Sequence, residues 1–251
     1  MSDHLFTYLC RLGDDRLVLG HRLSEWAGHG PILEEDIALS NIALDLLGQA
    51  TNFLALAGRV EGQGRDEDAL AFWRSDVEFQ CTRLVELAIG DFGFTMARQL
   101  LFDAYSVHLL DALTRSSHAE LAALASRALK EDRYHLRHSA EWVVRLGDGT
   151  EESHGRIARG LEACWRFTGE LFAPDAVDDA LVAEGVAADL AIVRERWLET
   201  VREVLQRATL ELPAGEQGPP PNVGRGSHTE HLGHLLSVMQ ITARSHPGAT
   251  W

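Results

Sequence analysis

A chain of 251 residues can bury a sizeable core, and its length favours one large domain or two small ones. The composition, 45% hydrophobic and 24% charged, is that of a globular protein, and a formal net charge of −15 argues against a general binder of nucleic acid or anionic membrane while permitting a basic protein partner. Cys10, Cys81 and Cys164 are isolated and odd in number, so neither a disulfide frame nor a cysteine-based zinc site is expected, and a reducing cytoplasm fits.

The N-terminus has no basic start or long apolar run of the kind a signal peptide needs. No run approaches the ~18 apolar residues that span a bilayer. Leu, Ala, Glu and Arg are abundant and strand-like alternation is nearly absent, so the elements read as helices throughout. The first is expected from Leu12 to Trp26, stopping at Gly28. The second begins in the acidic turn Glu34, Glu35, Asp36 and ends near Gly58. A third stretch, continuous or broken, covers Glu67 to Ala88. The fourth runs from Asp91 to Leu113 and the fifth from Ala119 to Leu146. A sixth carries Ile157, Leu161, Cys164, Thr168 and Leu171 on one face, and a seventh spans Asp178 to Ala208. A Gly/Pro-rich loop at 211–226 then interrupts, and a Ser227-x-x-Glu230 capping box opens a last helix striped by Leu232, Leu235, Met239 and Thr242. The expectation is an all-α protein, one domain over 1–251, built as a helix bundle with additional helices.

Polar residues on the buried stripes are the candidates for function. The fifth helix steps through 121, 125, 128, 132, 135, 139, 142 and 146, which puts Asp132 and His135 on its core face. A carboxylate and an imidazole three residues apart match the Glu-x-x-His element of carboxylate-bridged di-iron bundles. Asp103 lies on the core stripe of the fourth helix. Asp45 is the only charge on the second helix between Ile37 and Leu56, in a polar row with Asn41, Gly48 and Asn52. Glu25, Arg22 or His21 could join from the first helix. A di-iron site needs a Glu from each of two helices and a Glu-x-x-His from each of two others. Here the second such element is Asp45-x-x-Gly48, with no imidazole, so six ligands do not assemble from this set. The cluster Asp45, Asp103, Asp132, His135 and Glu25 is therefore expected to be a degenerate metal site, a buried ion-pair and hydrogen-bond network with Lys130, Arg133, Arg98 or Arg22 as cations. A working di-metal centre and a single adventitious metal remain the alternatives. His228, His231 and His234 repeat every three residues and could chelate a metal, but their drift around the helix favours a surface or interface role. Trp142, Trp165 and Trp197 are expected as core anchors. No nucleophile elbow, P-loop or dinucleotide fingerprint is present.

The segments LVLGHRLSEWAGHGPILEEDIALSNIALDLLGQA, GRDEDALAFWR, GDFGFTMARQLLFDAY, ALKEDRYHLRHSAEWVVRLGDGTEESHGRI, WRFTGELF and HTEHLGHLLSVMQ resemble, in the same order and from about Leu12 to Trp251, the C-subunit family of the bacterial phenylacetyl-CoA epoxidase complex. The resemblance implies a ferritin-like four-helix bundle. It implies a complex that converts phenylacetyl-CoA to its ring-1,2-epoxide with molecular oxygen and NADPH. The di-iron centre would lie in a related catalytic A subunit. A small B subunit and a reductase carrying FAD and an iron–sulfur cluster would complete the system. The chain itself would be a structural subunit with no catalytic, cofactor-binding or metal residues of its own; self-association stays open. The competing readings are a di-metal oxygenase or oxidase in its own right and a stand-alone metal-binding bundle.

Overall fold

Side-chain caps set many of the helix boundaries. The computed structural model describes residues 2–215 and 224–249. In chain order it forms α1 (Ser2–Ser24), α2 (Leu33–Glu61), α3 (Glu67–Phe72), α4 (Arg83–Glu86), α5 (Phe92–Leu113), α6 (Ala119–Gly147), α7 (Glu151–Trp165), α8 (Ala176–Ala183), α9 (Leu190–Arg207), α10 (Glu230–Met239) and α11 (Ile241–Ser245), with 3-10 turns at Asp76–Glu78 and Thr168–Phe172. The described residues contain no strand, so the all-α expectation holds. None of their helices is long and apolar enough to cross a membrane.

Several boundaries differ from the sequence reading for identifiable reasons. The first helix starts about ten residues early because Leu5, Tyr8 and Leu9 are buried along with the later stripe. The third stretch is broken into α3, a 3-10 turn and α4. The stretch 178–208 is two helices, split around Gly185, whose φ of 72° a residue with a side chain rarely adopts. The sixth helix ends at Trp165, leaving Thr168 and Leu171 on a 3-10 turn. Ser227 does not cap the last helix. Its N-cap is Thr229, whose backbone N–H and hydroxyl are both directed to the Glu86 carboxylate. The loop expected at 211–226 is non-helical at 211–215 and 224–226, and its prolines at 219–221 lie outside the described residues.

The chain forms two compact units, one from both ends (α1–α4, α10 and α11) and one from the middle (α5–α9). In the first unit α1 and α2 pack along their length. Gly13 and Gly20, seven residues apart, make this approach close: a Cβ on Gly13 would sit 2.7 Å from Leu54, and one on Gly20 would sit 3.2 Å from the Ala43 carbonyl. The apolar seam of α1 is interrupted by the buried run Asp14, Asp15, Arg16. Each has a dedicated partner: the Arg74 guanidinium grips Asp14, Thr82 donates to Asp15, and Arg16 donates to Gln49 at 2.8 Å. Such partners are what make a buried charge tolerable.

In the second unit, α5 packs against α6, α7 and α9, and every residue from 95 to 107 is buried. Asp91 caps α5 by accepting from the Phe94 N–H at 2.8 Å, and Thr150 with Ser153 forms a capping box for α7. The aromatic core is Trp197, stacked on Trp165 at 5.5 Å and tilted on Phe172 at 4.9 Å. Its indole N–H donates to the Leu101 carbonyl at 2.9 Å, so the buried ring leaves no polar atom unsatisfied. Trp142 is half-buried, edge-on to Phe92.

Candidate functional site

The stripe of α6 is buried at Leu121, Ala125, Ala128, Asp132, His135 and Ser139, and half-buried at Trp142 and Leu146. A step of three or four residues returns a helix to the same face, so Asp132 and His135 enter the core of the second unit side by side. They are 2% and 1% exposed, with His135 Nδ1 3.7 Å from Asp132 Oδ1. Asp103 arrives from α5, also buried. Its Oδ2 accepts from the Ser139 hydroxyl at 2.7 Å and its Oδ1 from the Gln99 amide at 3.3 Å. Three of the five expected residues, Asp103, Asp132 and His135, thus form one cluster. Burial pushes the Asp103 carboxyl up to about 7, with Asp132 adding to the effect, while His135, the Ser139 hydrogen bond and Arg98 oppose it.

Asp45 and Glu25 belong to the first unit. Asp45 is half-buried on α2, within a row whose Asn41 and Gly48 are exposed. Glu25 follows the end of α1, is 36% exposed, and pairs with Arg22 at 2.6 Å. Among the proposed cations, Arg98 is the one buried next to Asp103; Lys130 is exposed, and Arg133 reaches toward Asp111 at 3.8 Å. Two metals would require two carboxylate–imidazole pairs and two further carboxylates. The Asp103–Asp132–His135 cluster supplies one such pair, with the short Asp132 in place of Glu, and one further carboxylate. By itself this cluster falls short of the six-ligand set.

The three-histidine arrangement at 228, 231 and 234 does not form. His228 precedes α10 and is turned inward, His231 is half-buried and His234 exposed, as expected of side chains whose angular positions drift at about 100° per residue. His228 belongs instead to a group that sequence reading missed. Its Nδ1 lies 2.6 Å from Glu86 Oε1 and its Nε2 3.0 Å from the Phe79 carbonyl. Cys81 Sγ is 3.7 Å from the same Glu86 oxygen and 4.0 Å from His228 Nδ1. Burial, reinforced by Glu86, Asp14 and Asp15, pushes the Cys81 thiol well up. Nearby, Arg225 donates to Asp15 at 3.0 Å and to the Gln80 carbonyl at 3.1 Å. No local motif announces this group, because Cys81 and Glu86 sit in the irregular stretch between α3 and α5, and His228 is 142 residues beyond Glu86.

The model of the phenylacetic acid catabolic protein family matches residues 1–251. The C subunit of the 1,2-phenylacetyl-CoA epoxidase of Escherichia coli (strain K12) is 47% identical over 249 residues, covering 99% of this chain and 100% of the relative. An all-helical chain with a carboxylate–histidine cluster in its core, matched by that family along its whole length, is a member of the phenylacetic acid catabolic protein family.

Proposed function

We propose that this chain is the non-catalytic structural subunit of a multicomponent phenylacetyl-CoA 1,2-epoxidase, docking and supporting a catalytic A subunit that carries the di-iron centre. A B subunit and a reductase using NADPH, FAD and an iron–sulfur cluster would serve the same complex. The observation that carries the reading is the donor set: one imidazole and shortened carboxylates where two metals need two imidazoles and four carboxylates. The 47% identity to the C subunit of an epoxidase supports the same assignment.

A second feature supports a docking role. Leu33, Ile37 and Leu44 are 71%, 52% and 65% exposed, and at about 100° per residue they fall within one narrow arc of α2. An exposed apolar row on a long helix is what a subunit interface leaves behind when drawn without its partner. In the complex this face would lie against the A subunit. The contribution to catalysis would be indirect: a packed helix pair fixes the partner's ligand helices and keeps water from its metal site.

Elemental analysis of this chain purified alone, and again after co-expression with its A subunit, tests the proposal. The expected result is an iron-free lone chain and a complex with about two irons per pair of this chain and the A subunit, following the di-iron scheme. Stoichiometric iron in the lone chain would overturn the reading and make this protein a di-metal oxygenase or oxidase candidate itself.

A further inference from the structure

We propose that Cys81, Glu86 and His228 form a binding site for a single zinc-class divalent cation, separate from the Asp103–Asp132–His135 cluster. The candidate donor atoms, Cys81 Sγ, a Glu86 carboxylate oxygen and His228 Nδ1, all lie within 4.8 Å of one another. Zinc bonds of about 2.3 Å to sulfur and about 2.0–2.2 Å to nitrogen or oxygen, set tetrahedrally, place ligand atoms roughly 3.3–3.6 Å apart. The two separations from sulfur, 3.7 and 4.0 Å, need to close only slightly. The Nδ1–Oε1 separation of 2.6 Å is a hydrogen bond, and it opens when the proton it holds is replaced by the ion.

The surroundings match what a metal site requires beyond its ligands. A ligating imidazole generally donates its other ring N–H to a carbonyl or carboxylate, which fixes the ring and selects the metal-binding nitrogen. His228 Nε2 meets the Phe79 carbonyl at 3.0 Å, so that nitrogen carries a proton and Nδ1 is the one directed at the cluster. The ligating carboxylate is supported in the same way: Glu86 Oε2 accepts from the Thr229 N–H at 2.7 Å and its hydroxyl at 2.6 Å, leaving Oε1 toward Cys81 and His228. Cys81 and Glu86 are fully buried, and the His228 side chain is 9% exposed. Three protein ligands leave a fourth position for water.

Charge and proton balance favour the exchange. Without metal, one proton is shared between Nδ1 and Oε1 and one sits on the Cys81 sulfur, so the three groups together are neutral. A dication displaces both protons. The ion with a thiolate, a carboxylate and a neutral imidazole is again neutral, so no net charge is created in the buried site, and two protons are released per ion. Thiolate plus imidazole selects zinc over magnesium or calcium.

The test uses the full-length, tag-free chain, titrated with Zn2+ and with Co2+ as a spectroscopic substitute. The expected outcome is about one bound ion per chain, release of about two protons per ion, and a near-ultraviolet thiolate-to-cobalt band. Cys81→Ser should abolish the band. His228→Gln should weaken binding by at least roughly tenfold, with circular dichroism verifying that both variants fold. Wild-type chain that binds no Co2+, or binds it without a thiolate band, overturns the proposal without relying on any variant. A band that persists in folded Cys81→Ser overturns it as well.

Discussion

The Ser139 hydroxyl on α6 donates to Asp103 Oδ2 on α5 at 2.7 Å, tying the two helices together beside the Asp132–His135 pair. The carboxyl at the centre of this link is held near neutrality by its burial, with its pKa raised from 3.8 to about 7. The folded chain therefore keeps a proton on Asp103 that the unfolded chain has lost, over the window between about pH 4 and pH 7. This group's contribution to stability is fully present below the lower value, declines as pH rises through the window, and is flat above it. Asp103→Asn mimics the protonated acid: its carbonyl accepts from Ser139, and its amide can donate to Gln99 once that side chain reverses. The variant should lose this part of the pH slope and be more stable than wild type at about pH 8, on the order of 2–3 kcal/mol. Urea unfolding at about pH 5 and pH 8 measures it. Equal slopes in the two proteins would show that Asp103 is ionised throughout.

The Asp14–Arg74 pair in the first unit gives a second prediction. Arg74 donates to both oxygens of Asp14, at 2.5 and 3.0 Å, with the Gln80 N–H adding a third bond at 2.8 Å, and both charged side chains are almost completely buried. Removing one partner strands the other charge away from water. Arg74→Met or Asp14→Leu alone should cost about 3–5 kcal/mol. The double variant should be more stable than the sum of the two losses by at least about 1 kcal/mol, because neither charge is then left behind. A double-mutant cycle by chemical denaturation decides. Strict additivity would mean that water already solvates the pair.

The two candidate clusters differ in how much of them the sequence displays. Asp132, His135 and Asp103 are legible because they replace apolar residues at positions that a three- and four-residue step marks as core, on long helices where the period is unambiguous. Cys81, Glu86 and His228 are not. They sit on a four-residue helix, the turn before it and a loop 142 residues away, where no period runs long enough to assign a face. The run Asp14, Asp15, Arg16 hides for a related reason. Three consecutive charges read as a solvated stretch, and it is distant partners, Arg74 for Asp14, Thr82 and Arg225 for Asp15 and Gln49 for Arg16, that make them interior. Asp45 is the converse case. It looks buried because its neighbours are apolar, yet it is half-buried, and part of that apolar character belongs to the exposed row at Leu33, Ile37 and Leu44.

That row carries the last prediction. An exposed leucine contributes little to the stability of the isolated chain, so Leu44→Glu or Ile37→Glu should fold with a loss of less than about 0.5 kcal/mol. In a docked complex the same carboxylate would be carried into an apolar interface, where a charge without a partner costs several kcal/mol and the contact area around it is lost. Co-expressed with the proposed A subunit, each variant should weaken association by at least roughly a hundredfold, which is the effect of about 2.7 kcal/mol. Size-exclusion chromatography and titration calorimetry read the loss, with Ile192→Glu as a control at an exposed apolar residue of α9 (56% exposed). If both α2 variants bind the proposed A subunit as wild type does while the control also binds normally, the exposed row of α2 is not the docking face for that subunit.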